Sequence, residues 1–172
     1  MNHATANNQA EFSRDRVYRY VLESIVGEPR RPDNGLINFI MLNPSTADET
    51  RDDPSVRRCK AFATGWGYER IVITNVFALR STDPALLRRH LHPIGPNNDE
   101  WIARTAQRAD KVVAAWGLHG LLMNRHADVS LMLTSIGISL SVLALSKSGI
   151  PKHPLYLSGD LEPLAWEPNI QY

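Results

Sequence analysis

The sequence is poor in the features that announce a function class. It holds one cysteine, Cys59, in 172 residues. An intramolecular disulfide and any all-cysteine metal or iron–sulfur site are therefore excluded, and a reducing cytoplasm is the expected setting. No apolar run approaches the roughly 18 residues of a membrane span, and no basic-then-apolar leader opens the chain. Charge of one sign is lacking too: 19 Lys and Arg stand against 18 Asp and Glu, a net charge of +1. Nucleic-acid binders often carry a basic excess, so such binding here needs a local patch. The six histidines are scattered and lack zinc-ligand spacing. Internal repeats are absent. The apolar fraction of 43% nevertheless rules out disorder as the main state, and the length suits one domain.

Hydrophobic patterning gives the organisation. Residues 1–13 are small and polar without periodicity, so they are expected to be disordered, leaving residues 14–172 as a single α/β domain. Residues 16–25 alternate Val17, Tyr18, Tyr20, Leu22 and Ile25 with polar neighbours, which predicts an edge strand or the first arm of a hairpin. Four apolar runs follow at residues 36–42 (LINFIML), 71–79 (IVITNVFAL), 112–116 (VVAAW) and 138–145 (ISLSVLAL). Runs without alternation suit strands covered on both faces. Helical patterns separate them at residues 54–64, at 97–109 with an Asn97/Glu100 capping pattern, and at 118–136 ending at Gly137. The expected architecture is a three-layer α/β fold around a central, mostly parallel four-stranded sheet.

Ligands of open α/β sheets bind beyond the carboxyl ends of the strands. That rule selects Asn43-Pro44-Ser45, Thr74-Asn75, Trp116-Gly117 and the stretch from Lys147 to His153-Pro154. Asn75 stands out because an amide inside an apolar strand must be satisfied or costs about 1–3 kcal/mol. Its planar donor and acceptor complement a pyrimidine edge, although a strand-end Asn satisfying a loop is the commoner case. Asp48, Glu49, Asp52 and Asp53 could hold Mg²⁺, though such a cluster is more often a solvated loop, with Asp53-Pro54 opening the next helix.

In this order the pieces resemble the uracil-DNA glycosylase superfamily. Leu42-Asn43-Pro44-Ser45 occupies the place of its first motif, Val72-Ile73-Thr74-Asn75-Val76 that of its Asn-bearing strand, and His153-Pro154-Leu155 that of its final His-Pro motif. A nearer likeness is to a family of short bacterial and phage proteins of unknown function. It is carried by LNPSTAD from Leu42 to Asp48, Asp52-Asp53-Pro54, Trp66-Gly67-Tyr68, Asn75, and His153-Pro154-Leu155-Tyr156.

The superfamily resemblance implies a nucleobase-binding protein that cleaves an N-glycosidic bond without cofactor or metal. Asn43 would position the attacking water and His153 would donate to the departing base. Asn75, Ser45 and Trp116 would bind the base. Arg57, Arg58, Lys147 and Lys152 would contact phosphates, with Leu155 wedged into the vacated stack. DNA or a nucleotide is the implied partner. Two alternatives stay open: a non-catalytic nucleic-acid or nucleotide binder, and a metal-assisted phosphohydrolase built on the acidic cluster.

Overall fold

The structure, a computed structural model, describes residues 7–169. Seven strands form one mixed sheet: β1 (Asn8–Phe12), β2 (Arg19–Ile25), β3 (Leu36–Met41), β4 (Arg70–Asn75), β5 (Lys111–Ala114), β6 (Leu140–Val142) and β7 (Leu164–Trp166). Their order across the sheet is β1-β2-β4-β3-β5-β6-β7. The pairings β4–β3, β3–β5 and β5–β6 are parallel, while β1–β2, β2–β4 and β6–β7 are antiparallel. The expected four-stranded, mostly parallel sheet is thus corrected to seven strands with both kinds of pairing. Of the three strands added to those four, β2 falls in the segment expected to be an edge strand or hairpin arm, while β1 is mostly polar and β7 is only three residues long, too little pattern to announce either.

Two further expectations change at the amino end. Residues 8–12 are ordered as β1, and residues 1–6 lie outside the described residues. Here β1 is held by β2 on one side and by the backbone bond from Asn8 N–H to Glu49 O. Consequently β2 is interior rather than an edge.

Helices cover both faces. Helix α1 (Pro54–Gly65) is capped by Asp53, whose side chain accepts the Val56 N–H, and Pro54 opens it without wasting a donor. It buries Val56, Cys59, Phe62 and Ala63, the i, i+3, i+6 and i+7 positions of one stripe. These pack on Ile37, Phe39, Ile71 and Val113. After a short α2 (Pro84–Arg89), helices α3 (Asn98–Arg108) and α4 (Arg125–Ser135) pack Ile102, Ala106, Val129 and Leu133 against Ile40, Val112, Ala114 and Leu140. The helix read over residues 118–136 is broken: a 3-10 stretch covers Leu118–Asn124, and Met123 and Asn124 take left-handed φ before α4 begins. Asn97 does sit at the start of α3, but its own left-handed backbone (φ 60°) removes it from capping geometry, and its side chain makes no cap bond.

Strand register fixes which face each residue serves. Ile37 pairs with Ile71 and Lys111, and Met41 pairs with Asn75. With a period of two, Ile71, Ile73 and Asn75 share the α1 face, and Val112, Ala114 and Trp116 share the other.

Candidate ligand pocket

At the carboxyl ends of β3 and β4, on the α1 face, a cavity of about 40 Å³ is lined by Arg19, Asn43, Ser45, Asp53, Asn75 and His153 over Met41, Ile73, Ser55 and Val56. Larger surface grooves exist, one of about 470 Å³ among Arg30, Trp66, Asp110 and Glu162 at the amino ends of the strands. The smaller cavity is the candidate site because buried polar groups without protein partners converge on it.

Asn75 is 1% exposed, and its Nδ2 has no hydrogen-bond partner among the described residues. Its backbone carbonyl accepts from Asn98 Nδ2 at 2.9 Å, which anchors the strand end and leaves the side chain to the pocket. His153 reaches the same space from a loop pinned on either side by Pro151 and Pro154. Gly117, with φ +72°, lets that loop close on the end of β5: a Cβ there would stand 3.3 Å from the His153 Cβ. His153 Nδ1 accepts the Leu155 N–H at 3.2 Å. The ring proton of the neutral imidazole is therefore on Nε2, which makes that nitrogen a donor. Burial pushes the His153 pKa below its ordinary 6.5, against a smaller opposing pull from Asp53.

Asn43 has a second duty. Its Nδ2 donates to Pro44 O at 3.0 Å and Ser81 O at 2.9 Å, with Leu79 O at 3.4 Å, tying the end of β3 to the segment after β4. Ser45 lines the pocket and is half-buried.

Arg19 and Asp53 were not assigned to this pocket from sequence. Arg19 is 1% exposed; its Nη1 donates to Ala47 O at 2.6 Å, and its Nε has no partner among the described residues. Burial brings its pKa down to about 10, opposed chiefly by Asp53. The signal available in sequence is an arginine between Tyr18 and Tyr20 in an alternating segment, and nothing local marks it as buried. Asp53 is 6% exposed, with Oδ1 bonded to the Val56 N–H at 2.8 Å.

The structure brings Asn43, Ser45, Asn75 and His153 together and leaves the other expected residues outside the lining. Trp116 is corrected to a core residue: it is 1% exposed and packs in the cluster of α3 and α4, on the far face of the sheet. Arg58 is also corrected. Its Nη2 donates to Leu157 O and its guanidinium lies 4.7 Å from the Phe62 ring centroid, so it holds the carboxyl-terminal segment on α1. Arg57 is exposed and bonds Asp52 O at 2.7 Å. Lys147 and Lys152 are exposed, and Leu155 is half-buried beside His153.

The acidic cluster is divided among separate roles. Asp48 Oδ1 accepts from Thr50 N, Thr50 Oγ1 and Arg51 N, and the Thr50 backbone bond leads the causes that lower its pKa. Asp52 pairs with Lys60 at 2.7 Å and accepts from Asn8 Nδ2 at 2.9 Å. With Asp53 capping α1, the three carboxylates do three separate structural jobs, and among the described residues no group of three His, Cys, Asp or Glu is placed to hold a metal ion.

No curated protein and no solved structure matches the chain. A family described as protein of unknown function (DUF1643) matches residues 19–155, a span that begins at Arg19 and contains the whole pocket lining. The chain therefore belongs to the DUF1643 family.

Proposed function

We propose that this chain is a nucleobase-binding protein on a uracil-DNA-glycosylase-like scaffold, and that it cleaves the N-glycosidic bond of a modified or mismatched base. The observation that carries the reading is the pairing of an unpartnered Asn75 amide with a His153 imidazole whose donor nitrogen is Nε2, both in one pocket. Asn75 offers a donor and an acceptor to a base edge. His153 offers a donor to the carbonyl that gains charge as the base leaves; losing such a donor costs about 3–4 kcal/mol in comparable oxyanion sites. A cavity of about 40 Å³ would take the edge of a base rather than the whole ring. Flipping a base out of a duplex costs only a few kcal/mol, least for mismatched or single-stranded substrates. Exposed Lys147, Lys152 and Arg57 are the available phosphate contacts, so binding should weaken as salt rises.

Binding without catalysis is the second reading, and Asn43 favours it. A side chain already donating to Pro44 O and Ser81 O has its amide nitrogen occupied, which leaves only Oδ1 to orient a water. The test is abasic-site formation on oligonucleotides bearing uracil, modified pyrimidines and mismatches, with chelator throughout. Product that vanishes in Asn75→Ala and His153→Ala supports cleavage. Binding of a base or nucleotide through those residues without product supports the second reading. Neither product nor binding removes both, and phosphate-ester hydrolysis that appears in a parallel assay only when Mg²⁺ replaces the chelator puts the phosphohydrolase in place of both.

A further inference from the structure

Two opposite charges line the pocket without forming an ion pair among the described residues. Arg19 is 1% exposed and Asp53 is 6% exposed, and both line the cavity. Among the described residues they form no ion pair within 4.0 Å. Each is held from behind. The Arg19 guanidinium is anchored through Nη1 to Ala47 O, and the Asp53 carboxylate is anchored through Oδ1 to the amide of Val56 in the first turn of α1. Buried charges are ordinarily paired, because desolvation is expensive. Each is bonded to backbone rather than to the other, and both side chains line the same cavity.

Among the polar atoms of the lining, those buried without a partner among the described residues are donors. Arg19 Nε and Asn75 Nδ2 both lack partners among the described residues, and the neutral His153 ring, which also lines the pocket, carries its proton on Nε2. Against them stands the Asp53 carboxylate, an acceptor that cannot donate while ionised. A simple oxyanion would satisfy the donors and face Asp53 with like charge. A simple cation would satisfy Asp53 and face Arg19. A group with an acceptor and an adjacent donor satisfies both.

We infer that Arg19 and Asp53 are the specificity-determining residues of this pocket, and that together they select a ligand presenting a neutral O=C–N–H edge, the carbonyl to Arg19 and the N–H to Asp53. This inference rests on the pocket being a ligand site and narrows the proposed base to one carrying such a lactam edge. It also gives Asp53 a double duty, since one carboxylate caps α1 and reads the ligand.

Three probes of nearly one shape separate the possibilities: formamide with acceptor and donor, formate with acceptors alone, and formamidinium with donors alone. All are small enough for a cavity of about 40 Å³. Their three heavy atoms limit affinity to about the millimolar range, suited to NMR titration of the Asn75 side-chain amide and the Arg19 Nε–H. The wild type should bind formamide about tenfold more tightly than either ion, as expected when one charged partner is left facing like charge. Asp53→Asn keeps a cap acceptor for α1, so it folds, and should shift preference toward formate by about tenfold. Arg19→Lys and Arg19→Gln should weaken formate and formamide together, with Lys the milder, while circular dichroism checks that each remains folded. Formate binding as tightly as formamide, no change in Asp53→Asn, or no binding of any probe overturns the inference. Uracil in the same titration separates the two proposals. Formamide selectivity without uracil binding keeps the edge rule and removes the nucleobase. Uracil binding that depends on Asn75 but ignores Asp53→Asn keeps the nucleobase and removes the edge rule.

Discussion

On the face covered by α3 and α4, the carboxyl end of β5 is closed by Trp116, which stands edge-on to Trp166 with ring centroids 6.0 Å apart. Gly120 lies so close that an added Cβ would sit 2.4 Å from the indole. On the face covered by α1, the carboxyl end of β4 is Asn75, and around it gather Arg19, Asp53 and His153. The helices on both faces contribute ordinary apolar stripes. Both ends hold buried polar atoms without a partner among the described residues, Trp116 Nε1 on the first face and Arg19 Nε and Asn75 Nδ2 on the second; the first is dominated by a large buried aromatic, and the second gathers charged side chains around a cavity. Stability should therefore be concentrated in the first region, where a large aromatic is fully buried, and function in the second, where the partnerless atoms belong to side chains lining a cavity.

Four substitutions would break or sharpen that contrast. The largest effect is expected from Trp116→Ala, which removes a fully buried indole and should cost about 3–5 kcal/mol in urea denaturation. A loss under about 1 kcal/mol would mean that this layer is not sealed by Trp116. Next, Asn43→Ala deprives the Pro44 and Ser81 carbonyls of their donor and should cost about 1–2 kcal/mol. Equal stability of the variant would show that Asn43 belongs to the pocket alone.

Asn75→Leu should change stability by less than about 1 kcal/mol, or raise it, because the amide it removes has no partner to lose. A large loss would place Asn75 with Trp116 among residues that hold the fold. The smallest effect is a pH dependence. His153 has a folded-state pKa below 6.5, set first by burial. The unfolded chain thus takes up this proton first as pH falls. The contribution is fully present above about pH 6.5, begins to fade there, and is lost once pH has dropped through the lowered folded value. Urea midpoints should fall between about pH 7.5 and about pH 5.5, and by less in His153→Gln. Parallel curves for the two proteins would place His153 in ordinary solvent.

How far the sequence reached follows from which interactions are local. The runs LINFIML and IVITNVFAL, rich in β-branched residues, determined β3 and β4, and the rule that ligands sit beyond carboxyl strand ends placed Asn43 and Asn75 on one edge. Asp53-Pro54 determined the start of α1, since cap and first-turn proline act within a few residues. The His-Pro step likewise bounded the loop of His153. Sequence could not separate Trp116 from Asn75, since both follow apolar strands. The face each side chain takes depends on register between strands, and Ile37 opposite Ile71 and Lys111 is a long-range fact. Nor could it place Arg19, whose neighbours alternate as on a solvated strand. Only the addition of β1 outside β2, and the approach of Ala47 and Asp53 from segments about thirty residues away, turned that arginine inward. Local pattern decided the elements and the edge; tertiary packing decided which polar side chains were buried together, because burial is a property of neighbours distant in sequence.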